Sequence, residues 1–248
     1  DTNQVGHWSN FHDFGDDIVL MCTEHILTTC HDGPVGSDSD NCDSIDTKGV
    51  IGVGHSMGAT ALILAALQTP HLFSKLILYE PIIFPAIYRF VMQFKKDAPL
   101  AELARKRRSV FHSHEEAIMN YGNKFPMQVF NKQVLSDYVH GGFRSISSVD
   151  GTDTITGIKL NCPPQYEANC YNGAQYLTTF DNQLSQLNMP VVIITGKEKF
   201  LQPSFLGGYI SRRIGDNSKL VRWNHCGHFG PLEKPHEFAD FIADFHKS

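Results

Sequence analysis

The spacing of apolar residues along the chain alternates between strand-like and helix-like patterns. Four short apolar runs are typical of buried strands, at residues 50–53 and within the sequences KLILYEP, PVVIITG and KLVRW. Helical spacing of three to four residues occurs at 9–28, 59–67, about 204–213 and from 235 onwards. Because a strand, a helix and a second strand follow one another from residue 50 to residue 80, we predict parallel strands joined by a right-handed crossover.

This alternation stops between residues 81 and 187, where aromatic, proline and basic residues mix with helical segments such as 101–121. We therefore predict a mainly helical cap at 81–187, inserted into an α/β core formed by residues 1–80 and 188–248. The basic sequence RKRR at 105–108 is expected on a solvated helix face of this cap.

Composition narrows the class of protein. With 248 residues, of which 42% are hydrophobic, the chain can form one globular domain with an insertion. Its net charge of −5 gives no basic excess, so nucleic acid is not an expected partner. The longest apolar stretches are far shorter than the roughly 20 residues that cross a bilayer, so no membrane span is predicted. Nothing in the sequence indicates an oligomeric state.

The six cysteines are scattered and form no CxxC pair. This pattern favours free thiols and a cytoplasmic location. A bridge between Cys162 and Cys170 in an exported protein stays open as an alternative.

Ser56 lies in the sequence GHSMG at 54–58, which follows a predicted strand and opens a predicted helix. A sharp turn at this point lifts the serine hydroxyl above the sheet, where the helix N-terminus directs its free amides. We expect Gly54 and Gly58 to be glycines because the neighbouring chain passes too close for side chains. A glycine-serine turn without chemistry is the alternative interpretation.

A serine hydroxyl is a weak nucleophile at neutral pH and needs an imidazole to take its proton. The candidate is His228 in GHFGPLE, which follows the strand-like KLVRW. Its neighbour His225 is the residue to exclude. A zinc site at His225, Cys226 and His228 is disfavoured because no second ligand cluster accompanies them, so no metal is expected.

GHSMG in this order of elements resembles the α/β-hydrolase superfamily over nearly the whole chain. The resemblance implies a mostly parallel sheet of eight strands with flanking helices, a cap after the sixth strand, and a triad in the order Ser, acid, His, without a cofactor. It also implies that the backbone N–H of Met57 forms half of the oxyanion hole. The other half would come from a loop after the third strand.

The acid departs from the common pattern of this family. An aspartate usually stands about three residues beyond the glycine of the strand PVVIITG, by resemblance, and Lys199 is found there. Glu80, at the end of LILYEPIIF, occupies the alternative acid position of some relatives and is our first candidate. Glu198 is the second candidate. A further alternative is that Glu80 has only a structural role at the entrance to the cap.

The sequence DTNQVGH at 1–7 resembles a degraded D-x-x-G-H-G turn that the family carries after its fourth strand. We therefore expect the N-terminal strands to be missing and the sheet to contain about four parallel strands with an uncovered edge.

Together these features predict a serine hydrolase that cleaves an ester, thioester or related acyl bond of a small, largely apolar molecule through an acyl-enzyme. The alternative is a non-catalytic or truncated hydrolase-fold protein that acts as a binding module.

Overall fold

The structure, a computed structural model, describes residues 12–31, 49–87, 99–150, 153–174, 182–197, 203 and 205–247. In chain order, its elements are α1 (His12–His31), β1 (Val50–His55), α2 (Met57–Gln68), β2 (Phe73–Tyr79), α3 (Pro99–Arg105), β3 (Val110–Phe111), α4 (His114–Gly122), α5 (Lys132–Gly142), β4 (Phe143–Asp150), β5 (Asp153–Leu160), α6 (Pro164–Ala174), β6 (Val191–Gly196), α7 (Leu206–Ile214), β7 (Ser218–Trp223), α8 (Gly230–Glu233) and α9 (Pro235–Lys247). Short 3-10 turns lie at Pro70–Leu72, Met127–Val129 and Leu184–Gln186.

Strands β1, β2, β6 and β7 form a parallel sheet in that order. The prediction of about four parallel strands is confirmed for the part of the chain that the structure describes. Tyr79, at the end of β2, is paired with His55 of β1 on one side and Ile194 of β6 on the other. The carboxyl ends of these strands therefore meet at one edge, where α/β sheets carry their sites.

The two central strands are buried on both faces because helices cover the sheet on each side. Leu78 and Ile193 point towards α2 and α7, whereas Ile77, Val192 and Ile194 pack against α9. Alternate residues of one strand thus enter two different clusters, which explains why β2 and β6 read as continuous apolar runs.

The expectation of a mainly helical cap did not include strands. Besides α3 to α6, the inserted segment contains an antiparallel sheet of order β3-β5-β4. The single helix expected at 101–121 is divided into α3 and α4 by β3, because Ser113 begins a new helix by accepting a hydrogen bond from the N–H of Glu116. Ile83, Leu184 and Leu187 also lie within the range predicted for the cap but pack in the core of the parallel sheet.

The expectation that the whole RKRR sequence faces solvent is wrong for Arg107, whose side chain is 13% exposed. Its guanidinium donates to Glu167 at 2.9 and 3.2 Å and to the hydroxyl of Tyr121 at 3.1 Å, and it also bonds Tyr138. Burial opposes its charge, but Tyr138 and Glu167 stabilise it and raise the pKa of Arg107. Partners on three cap helices thus make a buried arginine tolerable.

Cys162 and Cys170 are both free thiols, so the structure does not contain the alternative bridge between them. Within the described residues, none of the helices has the length and apolar character needed to cross a membrane.

Candidate active site

Ser56 lies between the last residue of β1 and the first of α2, with φ 54° and ψ −119°. This is a left-handed conformation that non-glycine residues rarely adopt. The backbone N–H of Ser56 donates to Tyr79 O at 2.8 Å, and its carbonyl accepts from the N–H of Thr60 at 3.2 Å. The turn therefore holds the serine in a strained geometry at the carboxyl edge of the sheet, as the GHSMG sequence predicts.

The two glycines of the motif differ in what they contribute. A Cβ at Gly54 would lie 2.7 Å from Ala59 Cα, which is a backbone atom and cannot move aside easily. A Cβ at Gly58 would meet no atom of the described residues within 4 Å outside its own helix. The expected close approach is present at Gly54, whereas the described residues show none at Gly58.

Three predicted residues come together at this edge of the sheet. His228 Nε2 lies 3.1 Å from Ser56 Oγ, and His228 Nδ1 lies 2.6 Å from Glu80 Oε2. Because an ionised carboxylate only accepts hydrogen bonds, Nδ1 carries the proton and Nε2 presents its lone pair to the serine hydroxyl. Ser56, His228 and Glu80 thus form one continuous hydrogen-bonded chain.

Glu80 follows β2 directly and is 3% exposed. Its φ is 48°, a positive value that residues with side chains rarely adopt, and its N–H donates to Ile194 O at 2.9 Å. The second carboxylate oxygen, Oε1, accepts from the backbone N–H of Gly196 at 2.7 Å. Both oxygens therefore have donors, which fixes the carboxylate and offsets the cost of its burial.

The loop that carries His228 is held by two side chains that sequence analysis did not assign to the site. His55 Nε2 donates to His228 O at 2.8 Å, and the hydroxyl of Tyr79 donates to Gly227 O at 2.7 Å. Burial, with His228 nearby, lowers the pKa of His55 to about 4, so its ring is neutral near pH 7. Burial, with Glu80 nearby, raises the pKa of the Tyr79 phenol.

The sequence did contain a partial signal for these two residues, since His55 precedes Ser56 and Tyr79 precedes Glu80. Their acceptors, however, lie 173 and 148 residues further along the chain. Contacts over such separations have no local pattern.

Met57 is the first residue of α2, and the Ser56 side chain does not cap this helix. The first N–H groups of a helix have no acceptor within the helix and carry the positive end of its dipole. Met57 therefore stands where a helix offers backbone donors next to Ser56, and its part in an oxyanion hole stays a prediction.

Two other candidates stand apart from this group. Glu198, the alternative acid, lies outside the described residues. His225 is half-exposed, and its Nε2 lies 2.6 Å from Glu237 on α9. In the described part of the chain, no group of three or more His, Cys, Asp or Glu side chains could hold a metal ion.

Aromatic side chains from the core and the cap meet beside His228. The Phe229 ring lies 5.0 Å from the His228 ring, and Phe130 and Phe125 of the cap lie 5.4 and 6.5 Å from Phe229. Phe125 keeps 42% of its surface exposed. The surroundings of the imidazole on this side are therefore apolar.

The fold and this serine–histidine–carboxylate arrangement define a class of protein, and comparison with known families agrees. The chain belongs to the alpha/beta hydrolase family, whose model matches residues 5–241.

Individual relatives are more distant. The uncharacterized hydrolase YugF of Bacillus subtilis is 27% identical over 218 residues, which cover 82% of this chain and 67% of YugF. Among solved structures, the peroxisomal alpha-beta-hydrolase Lpx1 of Saccharomyces cerevisiae is similar over 99% of this chain with a TM-score of 0.75 and 17% identity. The chain spans 62% of the length of Lpx1. A thermophilic esterase from Thermogutta terrifontis matches 96% of this chain and 72% of its own, with a TM-score of 0.55 and 16% identity.

Proposed function

We propose that this chain is a serine hydrolase that cleaves an ester, thioester or related acyl bond of a small, largely apolar molecule. The observation that carries the proposal is the chain of contacts from Ser56 Oγ to His228 Nε2 at 3.1 Å and from His228 Nδ1 to Glu80 Oε2 at 2.6 Å. Such a chain supplies a nucleophile, a base and a group that orients the base.

In the first step, Ser56 Oγ attacks the carbonyl carbon of the substrate while its proton passes to His228 Nε2. The carbonyl π electrons move to the oxygen, which becomes an oxyanion. Glu80 stabilises the positive charge that forms on the imidazole and holds its tautomer through Nδ1. The N–H of Met57 at the start of α2 is a donor for the oxyanion.

The tetrahedral intermediate collapses when the electrons on oxygen re-form the carbonyl and the bond to the leaving group breaks. Nε2–H of His228 gives its proton to the departing oxygen or sulfur, which leaves an acyl group on Ser56. A water molecule then repeats the sequence, with His228 as base, and releases the acid and free Ser56.

The preference for an apolar substrate is supported by the aromatic surface beside His228. The Phe229 ring lies beside the His228 ring, and the partly exposed Phe125 lies next to Phe229. Exposed aromatic surface gains free energy when an apolar group covers it. The Thermogutta terrifontis protein, which shares this fold, is described as an esterase. Its likeness supports the fold, and the substrate class of this chain rests on the site.

The decisive experiment is labelling of the chain with a fluorophosphonate probe, followed by peptide mass spectrometry. A phosphonylated Ser56 is expected. Ser56→Ala should remove the label, and hydrolysis of p-nitrophenyl butyrate should fall by roughly four orders of magnitude on triad precedent.

Ser136 provides a matched control because its Oγ lies 3.3 Å from His140 Nδ1 on the exposed surface of α5. This serine–histidine pair lacks a turn before a helix N-terminus and a buried carboxylate, so Ser136→Ala should label at the rate of the original chain. Absence of any label at Ser56 in the folded chain would contradict the proposal and favour a non-catalytic binding protein.

A series of p-nitrophenyl esters tests the apolar preference. The ratio kcat/KM should rise from acetate to butyrate or longer chains, because a longer acyl chain buries more apolar surface in the transition state. Each 1.4 kcal/mol of free energy gained in this way corresponds to a rise of roughly tenfold. A decrease along the series would contradict an apolar acyl pocket without affecting the assignment of Ser56.

A further inference from the structure

The side chains of His55 and Tyr79 bind two consecutive backbone carbonyls in the loop that carries His228. The two residues are register partners at the ends of β1 and β2. Each donates one hydrogen bond, His55 to the carbonyl of His228 and Tyr79 to the carbonyl of Gly227. Two adjacent strands thus hold two consecutive carbonyls.

A third contact completes this arrangement. The N–H of Gly227 donates to the carboxylate of Glu233 in α8 at 3.1 Å. Both polar groups of Gly227 and the carbonyl of His228 are therefore fixed by side chains, which leaves little freedom for the backbone that carries the imidazole.

The loop sequence also makes room for Tyr79. A Cβ at Gly230 would lie 2.1 Å from the Tyr79 hydroxyl oxygen, so any other residue there would displace the phenol. The ring of Tyr79 is held by edge contacts with Trp223 and Phe238. These ring contacts orient the Tyr79 hydroxyl towards the carbonyl of Gly227.

His55 is suited to its place because it is neutral. Its ring lies 4.9 Å from that of His228 and 5.9 Å from that of Tyr79, with Glu80 beyond His228. Burial and the adjacent His228 lower the pKa of His55 to about 4. A neutral His55 does not repel the positive charge that His228 gains during the reaction.

We infer that His55 and Tyr79 are positioning residues that hold His228 Nε2 at hydrogen-bonding distance from Ser56 Oγ. This role rests on the proposed function, in which His228 is the base. Both side chains act through the backbone of the His228 loop, because they donate to its carbonyl groups.

The test combines a chemical and a spectroscopic readout on Tyr79→Phe, His55→Phe and His55→Gln. Phenylalanine removes the donor at either position, whereas glutamine at 55 keeps an amide N–H at the place of Nε2. The chemical readout is the second-order rate constant for fluorophosphonate labelling of Ser56. The spectroscopic readout is the downfield proton resonance of His228 Nδ1–H in its short bond to Glu80, identified by its loss in His228→Gln.

Both phenylalanine variants should slow labelling by roughly 10- to 100-fold and weaken or broaden the resonance, since small displacements of a catalytic group have effects of this size. His55→Gln should restore most of both signals. Tyr121→Phe is the matched control, because it also removes a buried phenol that donates to a carbonyl, that of Arg108 at 3.1 Å in the cap. It should leave both readouts unchanged.

Labelling at the original rate with an intact resonance in both phenylalanine variants would overturn the inference. An equal loss in His55→Gln and His55→Phe would overturn the hydrogen-bonding role of His55. If the original chain does not label, the proposed function fails, and the resonance by itself still decides whether His55 and Tyr79 position His228.

Discussion

Ser56 and Glu80 both have a positive φ, at 54° and 48°, which is rare for residues with side chains. Each such conformation costs about 1–3 kcal/mol and persists where the surroundings determine it. Here the N–H of each residue donates to the neighbouring strand, to Tyr79 O and Ile194 O respectively. The hydrogen bonds of the sheet thus maintain strain at the two residues whose side chains flank His228.

The assignment of the acid leads to a pairwise prediction. Glu80→Gln should lower the rate of Ser56 labelling and ester hydrolysis at least about 100-fold, because an amide stabilises the imidazolium poorly and can favour the wrong tautomer. Glu198→Gln should change these rates little. Steady-state kinetics of both variants measure the difference, and the opposite ranking would transfer the role to Glu198.

The shifted pKa of His55 predicts a pH dependence of stability. Its pKa is about 4 in the folded chain, because of burial and His228, and about 6.5 when unfolded. Between these values the unfolded chain binds more protons, so the contribution of a neutral His55 is complete above pH 6.5 and is lost as the pH falls towards 4. The loss is on the order of 3 kcal/mol.

Urea unfolding of the original chain and of His55→Gln at pH 7 and pH 4 measures this contribution. The variant should lose less stability over this interval than the original chain does. An identical slope in His55→Gln would show that His55 is not buried in neutral form.

At the scale of elements, the turn from β1 to α2 depends on one glycine of its motif. Gly54→Ala places a methyl group 2.7 Å from the backbone of Ala59 and should destabilise the fold by about 1–3 kcal/mol. Gly58→Ala meets no such obstacle among the residues that the structure describes and should be neutral or stabilise α2 by up to about 1 kcal/mol. Thermal unfolding of the two variants measures the contrast, which equal losses would refute.

The same turn shows what could be predicted from sequence. Ser56 and its turn follow from a motif of five residues between a strand and a helix, because the sterics involved are local. Glu80 could be predicted as the acid because Lys199 stands at the position where the family resemblance implies a carboxylate. The contacts of His55 and Tyr79 join segments that are distant along the chain, and only the folded sheet brings them together.

The antiparallel sheet of the cap was missed for a different reason. Its strands β4 and β5 are rich in Ser and Thr. Where the burial of their side chains is described, at 143–147 and 156–160, the buried positions are Phe143, Ile158 and Leu160. Weak alternation of this kind is hard to separate from a loop. The Asp-Gly sequence at 150–151 between the two runs was an available hairpin signal.

At the scale of the molecule, the cap contacts the core close to His228. The N–H of Asn131 donates to Leu232 O at 2.8 Å, and Phe130 packs against Phe229. The segment that follows the proposed base is thus shared by both parts of the chain. The internal order of the cap should therefore influence the surface that a substrate meets.

Arg107 provides a test of that order. Arg107→Met leaves Glu167 without its guanidinium partner in a largely buried position and should destabilise the chain by about 3 kcal/mol. Lys106→Met is the matched control, because its exposed pair with Glu102 at 2.7 Å contributes little. Calorimetry should show a clearly lower Tm for Arg107→Met. For Lys106→Met, the free energy of unfolding should change by less than about 0.5 kcal/mol, so its Tm should stay close to that of the original chain. Equal Tm values for the two variants would contradict a stabilising role of the Arg107 contacts.

The position of the proposed acid directly after β2 changes which parts of the chain are free to diverge. Glu80 draws on β6 for a backbone donor, the N–H of Gly196, where a Cβ would lie 2.5 Å from Gly227 O. The segment after Gly196 then does not have to supply the carboxylate of the triad. Insertions, deletions and charge reversals can accumulate there over evolution without interrupting proton transfer. In relatives that share this arrangement, we expect the sequence of that segment to vary while positions 80 and 196 stay constant.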